Sequence, residues 1–292
     1  MRIAEEHAAA EAVAANPARG SLFVAEYFDW RPKRRSIFDR VGNMALRRIG
    51  VEPILATAEA FDRRITRLMR RLGGQRGSEP MAAISSGVTT NFERRVNMYH
   101  LLDQVLAFNV PGDVVEVGCY TGESSVILQT LICRHGQHRQ LPLYDSFEGL
   151  PVPSEQDGSE LPQWARDGGG LDASLDVVRE GFRRYGLPVP ALHKGWFKDT
   201  LSTQLPDQIA FAHLDGDLYE SILTGLEQVY PRLSPGAICL IDDYCDPAVD
   251  PDGWNMLPGV KRACDEFFLG KPERIEPLYA GAASHAFFRK RA

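Results

Sequence analysis

Apolar and polar positions along this chain of 292 residues keep two rhythms. From about residue 81 onward, short apolar runs alternate with longer stretches in which apolar residues recur every three or four positions. The short runs, 114–118, 141–144, 191–193, 209–214, 237–241, 276–279 and 285–289, are bounded by Gly, Pro or Asp and have the length and composition of strands. The longer stretches, 92–108, 124–134, 171–185, 219–232 and 259–269, read as helices. The first of them places Val96, Tyr99, Leu102 and Leu106 on one face. Strand–helix alternation predicts an α/β domain with a mostly parallel sheet covered on both faces.

Upstream of residue 81 the rhythm differs. Residues 1–20 are Ala-rich, and 36–72 carry a helical pattern in which Phe61, Ile65, Leu68 and Leu72 share a face and arginines fill the other. Gly73-Gly74-Gln75-Arg76-Gly77-Ser78 breaks it as a linker would. The chain therefore divides into a basic, helical N-terminal extension (1–80) and an α/β domain (81–292). Net charge is −6, yet residues 31–76 hold 13 Lys or Arg against 4 Asp or Glu, so the two parts face different partners. No aromatic stacking pattern accompanies these arginines, which weighs against nucleic acid. An oligomer-forming role for the extension, giving a homo-oligomer, is the expectation.

Composition narrows the class. No apolar run is long enough to span a membrane, and the acidic, Ala-rich start lacks the order of a signal peptide. The five cysteines are scattered with no CxxC pair, so neither a zinc site nor a disulfide framework is indicated. A cytoplasmic protein is expected.

The chemistry concentrates in Leu214-Asp215-Gly216-Asp217-Leu218-Tyr219-Glu220-Ser221 and Ile241-Asp242-Asp243-Tyr244. Each acidic cluster follows a buried-strand pattern, and ligands of open α/β sheets sit beyond the strand carboxyl ends. Four aspartates converging there repel one another unless a cation lies between them, and oxygen donors suit a hard divalent ion. Glu116-Val117-Gly118-Cys119-Tyr120-Thr121-Gly122-Glu123-Ser124-Ser125 marks the first strand-to-helix crossing. Its glycines allow a tight turn, and Ser124 or Ser125 can cap the next helix. It matches neither a pyrophosphate-binding fingerprint nor a P-loop. Glu116 beside it disfavours phosphate and suits an ammonium group, while Asp145 after the next strand is placed for ribose hydroxyls. An amino acid joined to a nucleoside without phosphate is the outline of S-adenosylmethionine.

Further strings follow in order: Asp145-Ser146-Phe147-Glu148-Gly149-Leu150-Pro151, Gly195-Trp196-Phe197-Lys198-Asp199-Thr200-Leu201, and Ser234-Pro235-Gly236 ahead of Asp242-Asp243. With the acidic clusters they resemble the macrocin O-methyltransferase family, over roughly residues 87–290. Residues 1–80 have no evident counterpart. The resemblance implies a Rossmann-like class I methyltransferase fold, with a seven-stranded, mostly parallel sheet and an antiparallel C-terminal strand. It implies S-adenosylmethionine and Mg²⁺ as cofactors and a sugar hydroxyl of a glycosylated small molecule or glycan as acceptor. Asp215, Asp242 and Asp243 would hold Mg²⁺, and Asp217 would be the general base. Glu116 would meet the methionine amino group, Asp145 the ribose, and Gly195 and Trp196 the adenine. Gly118, Thr121, Gly122, Ser124, Ser146 and Phe147 count with them as cofactor-binding positions. Residues 154–170 would form a lid.

Two departures stand out. His213 occupies a position where the family often has arginine; a packed strand-end histidine is the plain reading. Residues 245–257, with Trp254 and Asn255, are longer than the resemblance leads one to expect and could line the acceptor pocket. Two other functions fit the same motifs, a catechol-type O-methyltransferase and a non-catalytic scaffold of this fold. Intact acidic clusters argue against the scaffold.

Overall fold

The structure, a computed structural model, describes residues 91–292 apart from Asp252 and Ala282. The chain divides into two units, Met1–Ser78 and Glu79–Ala292, and the described residues all lie in the second. The helix expected over 36–72, the linker at 73–78 and the basic oligomer-forming extension lie outside them. Among the described residues no helix is long and apolar enough to cross a membrane, and all five cysteines are free thiols.

In chain order the elements are α1 (Phe92–Ala107), β1 (Asp113–Val117), α2 (Glu123–Arg134), β2 (Leu143–Asp145), a 3-10 turn (Glu155–Asp157), α3 (Gln163–Arg166), α4 (Leu175–Arg184), β3 (Leu192–Lys194), α5 (Phe197–Gln204), β4 (Ile209–Leu214), α6 (Tyr219–Val229), a second 3-10 turn (Tyr230–Arg232), β5 (Leu233–Asp242), α7 (Pro258–Phe268), β6 (Glu276–Ala280) and β7 (Ala283–Arg289). The seven strands form one sheet in the order β3-β2-β1-β4-β5-β7-β6. β7 runs antiparallel to both neighbours and every other pairing is parallel.

The central strands carry the core. All six residues of β4, Ile-Ala-Phe-Ala-His-Leu, are buried, the near-continuous pattern of a parallel strand covered on both faces. Burying a side chain such as Phe211 is worth about 1.5–3 kcal/mol. The elements stop where the sequence gives a physical reason. The Asn91 side chain accepts the Arg94 amide at 3.0 Å and opens α1. Ser174 accepts from Val177 N at 3.4 Å, so α4 starts after the expected 171. Pro231 lies in the tighter turn that follows α6, consistent with its missing N–H. α5, α3 and the first 3-10 turn were not foreseen, because one or two turns show too little periodicity.

Register positions the site. Val117 pairs with Leu214, and Leu214 with Ile241. Gly118, Asp215 and Asp242 are therefore the next residues along three adjacent strands and stand level at one edge. β1 is flanked by β2, reached through α2, and by β4 on its other side. The chain thus switches direction about β1, and a crevice at the strand carboxyl ends is the consequence.

Candidate active site

A cavity of about 500 Å³ occupies that crevice. Of the residues expected to bind cofactor, Gly118, Thr121, Ser124, Asp145, Ser146 and Trp196 line it, together with Asp215, Asp217 and Asp243. Glu116, Gly122, Phe147, Gly195 and Asp242 are not on its wall.

The glycine loop is built around close approach. Gly118 has φ +89°, and a Cβ there would overlap the Asp215 carbonyl oxygen, so this crossing of β1 and β4 requires glycine. Gly122, at φ +82°, is the N-cap of α2 without a side-chain cap. The expectation that Ser124 or Ser125 would cap is corrected: Ser124 faces the cavity, and the Ser125 hydroxyl donates to Glu116 Oε2. The N-terminal turn of α2 thus opens toward the cavity and favours a carboxylate there.

Asp145 organises this loop. Its Oδ2 accepts the Cys119 and Tyr120 amides at 2.9 and 3.0 Å, and its Oδ1 the Phe147 amide at 2.8 Å. A carboxylate has about four acceptor sites, so three bonds leave room for one hydroxyl. Phe147 serves through its backbone, and the Ser146 hydroxyl closes a turn on Gly149 O at 2.7 Å. Gly195 N donates to Asp145 O at 2.9 Å and sets Trp196 on the wall.

Glu116 departs from its expected place. It is 0% exposed, held by Ser125 and by His213 Nδ1 at 2.9 Å, and lies off the cavity. His213 is likewise more than a packed histidine. Its Nε2 stands 3.4 Å from Asp242 Oδ1. Burial pushes its pKa down, but Asp242 and Glu116 outweigh this and hold it well above the ordinary imidazole value.

The acidic centre has two layers. Asp215, Asp217 and Asp243 offer carboxylate oxygens within 4.8 Å of one another; His213, Asp215 and Asp242 form a second such group. The expected trio of Asp215, Asp242 and Asp243 is thus split, with Asp215 common to both groups. Asp242 is buried, with Arg94 Nη1 3.6 Å from its Oδ2 and His285 Nδ1 3.5 Å from its Oδ1, and among the described residues neither of its oxygens has a hydrogen-bond partner. Burial pushes Asp242 up, yet Arg94 and His213 hold it well below the usual carboxylate range. Burial, then Asp242 and Asp243, pushes Asp215 up to about 8; burial, then Asp215 and Asp243, raises Asp217. Asp217 and Asp243 both have left-handed backbones, φ +59° and +61°. Such conformations cost about 1–3 kcal/mol for residues other than glycine and gather at functional sites.

Arg94 was not foreseen. It comes from α1, donates through Nη2 to Asp243 Oδ1, and also donates to Ser284 O, at 2.8 Å from Nη2. Its signal was present: it sits four residues before Met98 on the buried stripe of α1, where an arginine needs a partner. The far wall is aromatic and apolar, with Trp164, Leu150, Pro151 and Leu171 from the 149–171 segment and Trp254 from the expected insert. Ser284 Oγ donates to Trp254 O at 2.7 Å, anchoring that insert beside the acidic centre. Asn255 is exposed.

The family profile described as Macrocin-O-methyltransferase (TylF) matches residues 53–255. The chain belongs to this family. The match starts inside the stretch expected to have no counterpart, so the family signal extends well upstream of residue 81. Among curated relatives, the 4'-O-methyltransferase of 8-demethyl-8-(2,3-dimethoxy-alpha-L-rhamnosyl)-tetracenomycin-C from Streptomyces olivaceus is 40% identical over 157 residues, covering 52% of this chain and 60% of that protein. Demethyldecarbamoylnovobiocin O-methyltransferase from Streptomyces niveus is 35% identical over 180 residues, covering 60% and 65%. The chain thus spans under two thirds of the length of these relatives. Among solved structures, the O-methyltransferase NovP superposes with a TM-score of 0.57 at 28% identity, over 69% of this chain and 81% of that one. A calicheamicin methyltransferase shares the fold at a TM-score of 0.54 and 23% identity, over 67% and 78%.

Proposed function

We propose that this chain transfers a methyl group from S-adenosylmethionine to a sugar hydroxyl of a glycosylated small molecule, with Mg²⁺ at the acidic end of the cavity. The observation that carries this reading is the meeting, in one cavity, of the glycine loop with Asp145 and the trio Asp215, Asp217 and Asp243. Its relatives' names support the acceptor class: one is a 4'-O-methyltransferase of a rhamnosyl-tetracenomycin and another an O-methyltransferase of demethyldecarbamoylnovobiocin.

The donor set fits a hard divalent ion. The inner trio presents oxygens alone, within 4.8 Å of one another, the donor type a hard cation takes, and its raised carboxylates are those a divalent charge would ionise. Asp215 and Asp243 would hold the ion. Asp243 shares its Oδ1 with Arg94, so its other oxygen would face the ion, and Asp242 lies in the second group with His213. A cation held there would supply Lewis-acid polarisation of the acceptor hydroxyl, and S-adenosylmethionine would supply an electrophilic methyl.

The chain's own residues supply the rest. Asp217, next to that pair and facing the cavity, would take the hydroxyl proton on a carboxylate oxygen. Asp145 would accept one ribose hydroxyl, the α2 N-terminus and Ser124 would meet the methionine carboxylate, and Trp196 would flank the adenine. Glu116, buried and off the wall, is not placed to meet the methionine ammonium. Trp254 and Trp164 would bound the acceptor and keep water out.

Thermal unfolding with and without S-adenosylhomocysteine, repeated with Mg²⁺ and with EDTA, tests the cofactor and the ion. Ligand at about 100 times its Kd adds about 2.7 kcal/mol. Turnover on a glycoside panel against a catechol panel tests the acceptor, and turnover on catechols alone would sink the sugar reading. A homo-oligomer remains part of the proposal, tested by light scattering on the full chain.

A further inference from the structure

The segment between Gly149 and Leu171 forms one side of the cavity through Leu150, Pro151, Trp164 and Leu171. Its neck is pinned by backbone bonds, Gly169 N to Leu150 O at 2.7 Å and Leu150 N to Gly170 O at 2.9 Å. Its interior is packed, with Leu161 and Ala165 buried. At its far end stands a carboxylate that the reaction does not use. Asp157 is 2% exposed, and its Oδ2 accepts the Ser154 amide and hydroxyl at 2.8 and 2.9 Å.

The other oxygen of Asp157 leaves the segment. Oδ1 accepts the Tyr219 amide at 2.6 Å. Tyr219 is the first residue of α6, and the preceding Leu218 offers no side-chain cap. Asp157 therefore caps α6 from across the fold, where an anion is stabilised by the helix N-terminus. It also abuts the start of α7. Leu257 there gives no side-chain cap, and a Cβ on Gly259 would overlap Asp157 Oδ1. Arg262 of α7 donates to Gln156 O.

What α6 does gives this contact its meaning. Glu220, Ser221 and Thr224 of α6 line the cavity. Two residues before Tyr219 is Asp217, at the centre of a three-residue turn closed by Leu218 N on Gly216 O at 2.6 Å. A short, left-handed turn has little slack, so a displaced Tyr219 amide moves Asp217 with it.

We propose that Asp157 is a positioning residue: it latches the 149–171 segment onto the N-terminus of α6 and thereby fixes Asp217 only when that segment is seated. The proposal rests on the reading of Asp217 as the base for its effect on turnover; the mechanical coupling stands apart from it.

The test compares the full chain with Asp157→Ala and Gly259→Ala. The second forces the carboxylate aside without removing it. Hydrogen exchange is followed over residues 150–170 and 216–224, and kcat and KM are measured with a glycoside acceptor. The expected result is joint loss of protection in both stretches and a fall in kcat on the order of 10²-fold, as for misplaced reacting groups, with a smaller change in KM and a retained S-adenosylhomocysteine shift. The double variant should be no worse than the more severe single one, since both act through one contact. Asp157→Asn, which keeps an acceptor for Tyr219 N, is the milder form should Asp157→Ala not fold. Deprotection confined to 150–170, or a lower Tm with kcat unchanged, would overturn the proposal. If even the unaltered protein methylates no acceptor, the activity reading has failed, and the exchange data alone decide the latch.

Discussion

Arg94 Nη1 lies 3.6 Å from Asp242 Oδ2 while its Nη2 is hydrogen-bonded to Asp243, so one guanidinium from α1 bridges two successive carboxylates at the end of β5. All three groups are buried. Removing the cation strands Asp243 and leaves Asp242 only the imidazoles of His213 and His285, which costs about 3–5 kcal/mol. Arg94→Ala is therefore expected to lower Tm by roughly 6–20 °C, and saturating Mg²⁺ should recover part of it. Arg94→Lys keeps the charge but cannot bridge, and should fall between. Thermal scans with and without Mg²⁺ check this; a loss too small to resolve would mean the bridge contributes nothing net.

Asp217→Asn separates proton removal from site assembly. The amide is nearly isosteric and tolerates the left-handed backbone, so the turn should persist. Turnover should drop about 10²–10⁴-fold, the usual worth of a positioned general base. The S-adenosylhomocysteine shift and Mn²⁺ binding, followed by paramagnetic resonance, should remain. Activity within a few-fold of the parent would move the base elsewhere in the trio.

The strands were legible because their patterns are strong: the unbroken apolar run 209–214 became β4 with the same bounds, and the level register of β1, β4 and β5 follows from where each run ends. Asp215 and Asp217 were legible for the same reason. What a single strand end cannot tell is which way a side chain turns. Glu116 and Asp242 sit on the right strands yet point into the protein, where His213 and Arg94 take up their charge. Arg94 and Asp157 act across separations of 149 and 62 residues, and no local periodicity encodes such pairs. Trp164 lies on a one-turn helix, too short to register as one.

Gly118→Ala probes the crossing itself. The backbone there has φ +89°, and a Cβ would overlap the Asp215 carbonyl oxygen. The left-handed conformation alone costs roughly 1–2 kcal/mol for an L-residue, and the overlap must be relieved by moving the start of the Asp215–Asp217 turn. The expected outcome is a lower Tm together with loss of the stabilisation by S-adenosylhomocysteine. A variant that still gains the full ligand shift would show that the loop and the acidic turn can separate without harm.

The acidic centre should make the cation-free protein less stable as pH rises. Burial, then Asp242 and Asp243, pushes Asp215 up to about 8, whereas unfolded Asp215 titrates near the ordinary carboxylate value, about 3.9. Between those two values the folded state holds a proton that the unfolded state has released. Stability from this group therefore falls as pH rises through that window, and is unaffected below it. Asp215 is only half-buried and faces the cavity, so solvent there damps the effect. Asp217 adds to it with the same sign. Asp242 acts oppositely: held low by Arg94 and His213 against burial, it stabilises above the ordinary carboxylate value and fails only under strong acid. A divalent ion takes the ionised form, so its binding should release protons and tighten with pH. The Tm increment from Mg²⁺ should accordingly be larger at about pH 8.5 than at about pH 5.5, and calorimetry in two buffers of different ionisation enthalpy should count the protons. An increment that does not change with pH would place the ion away from Asp215 and Asp243.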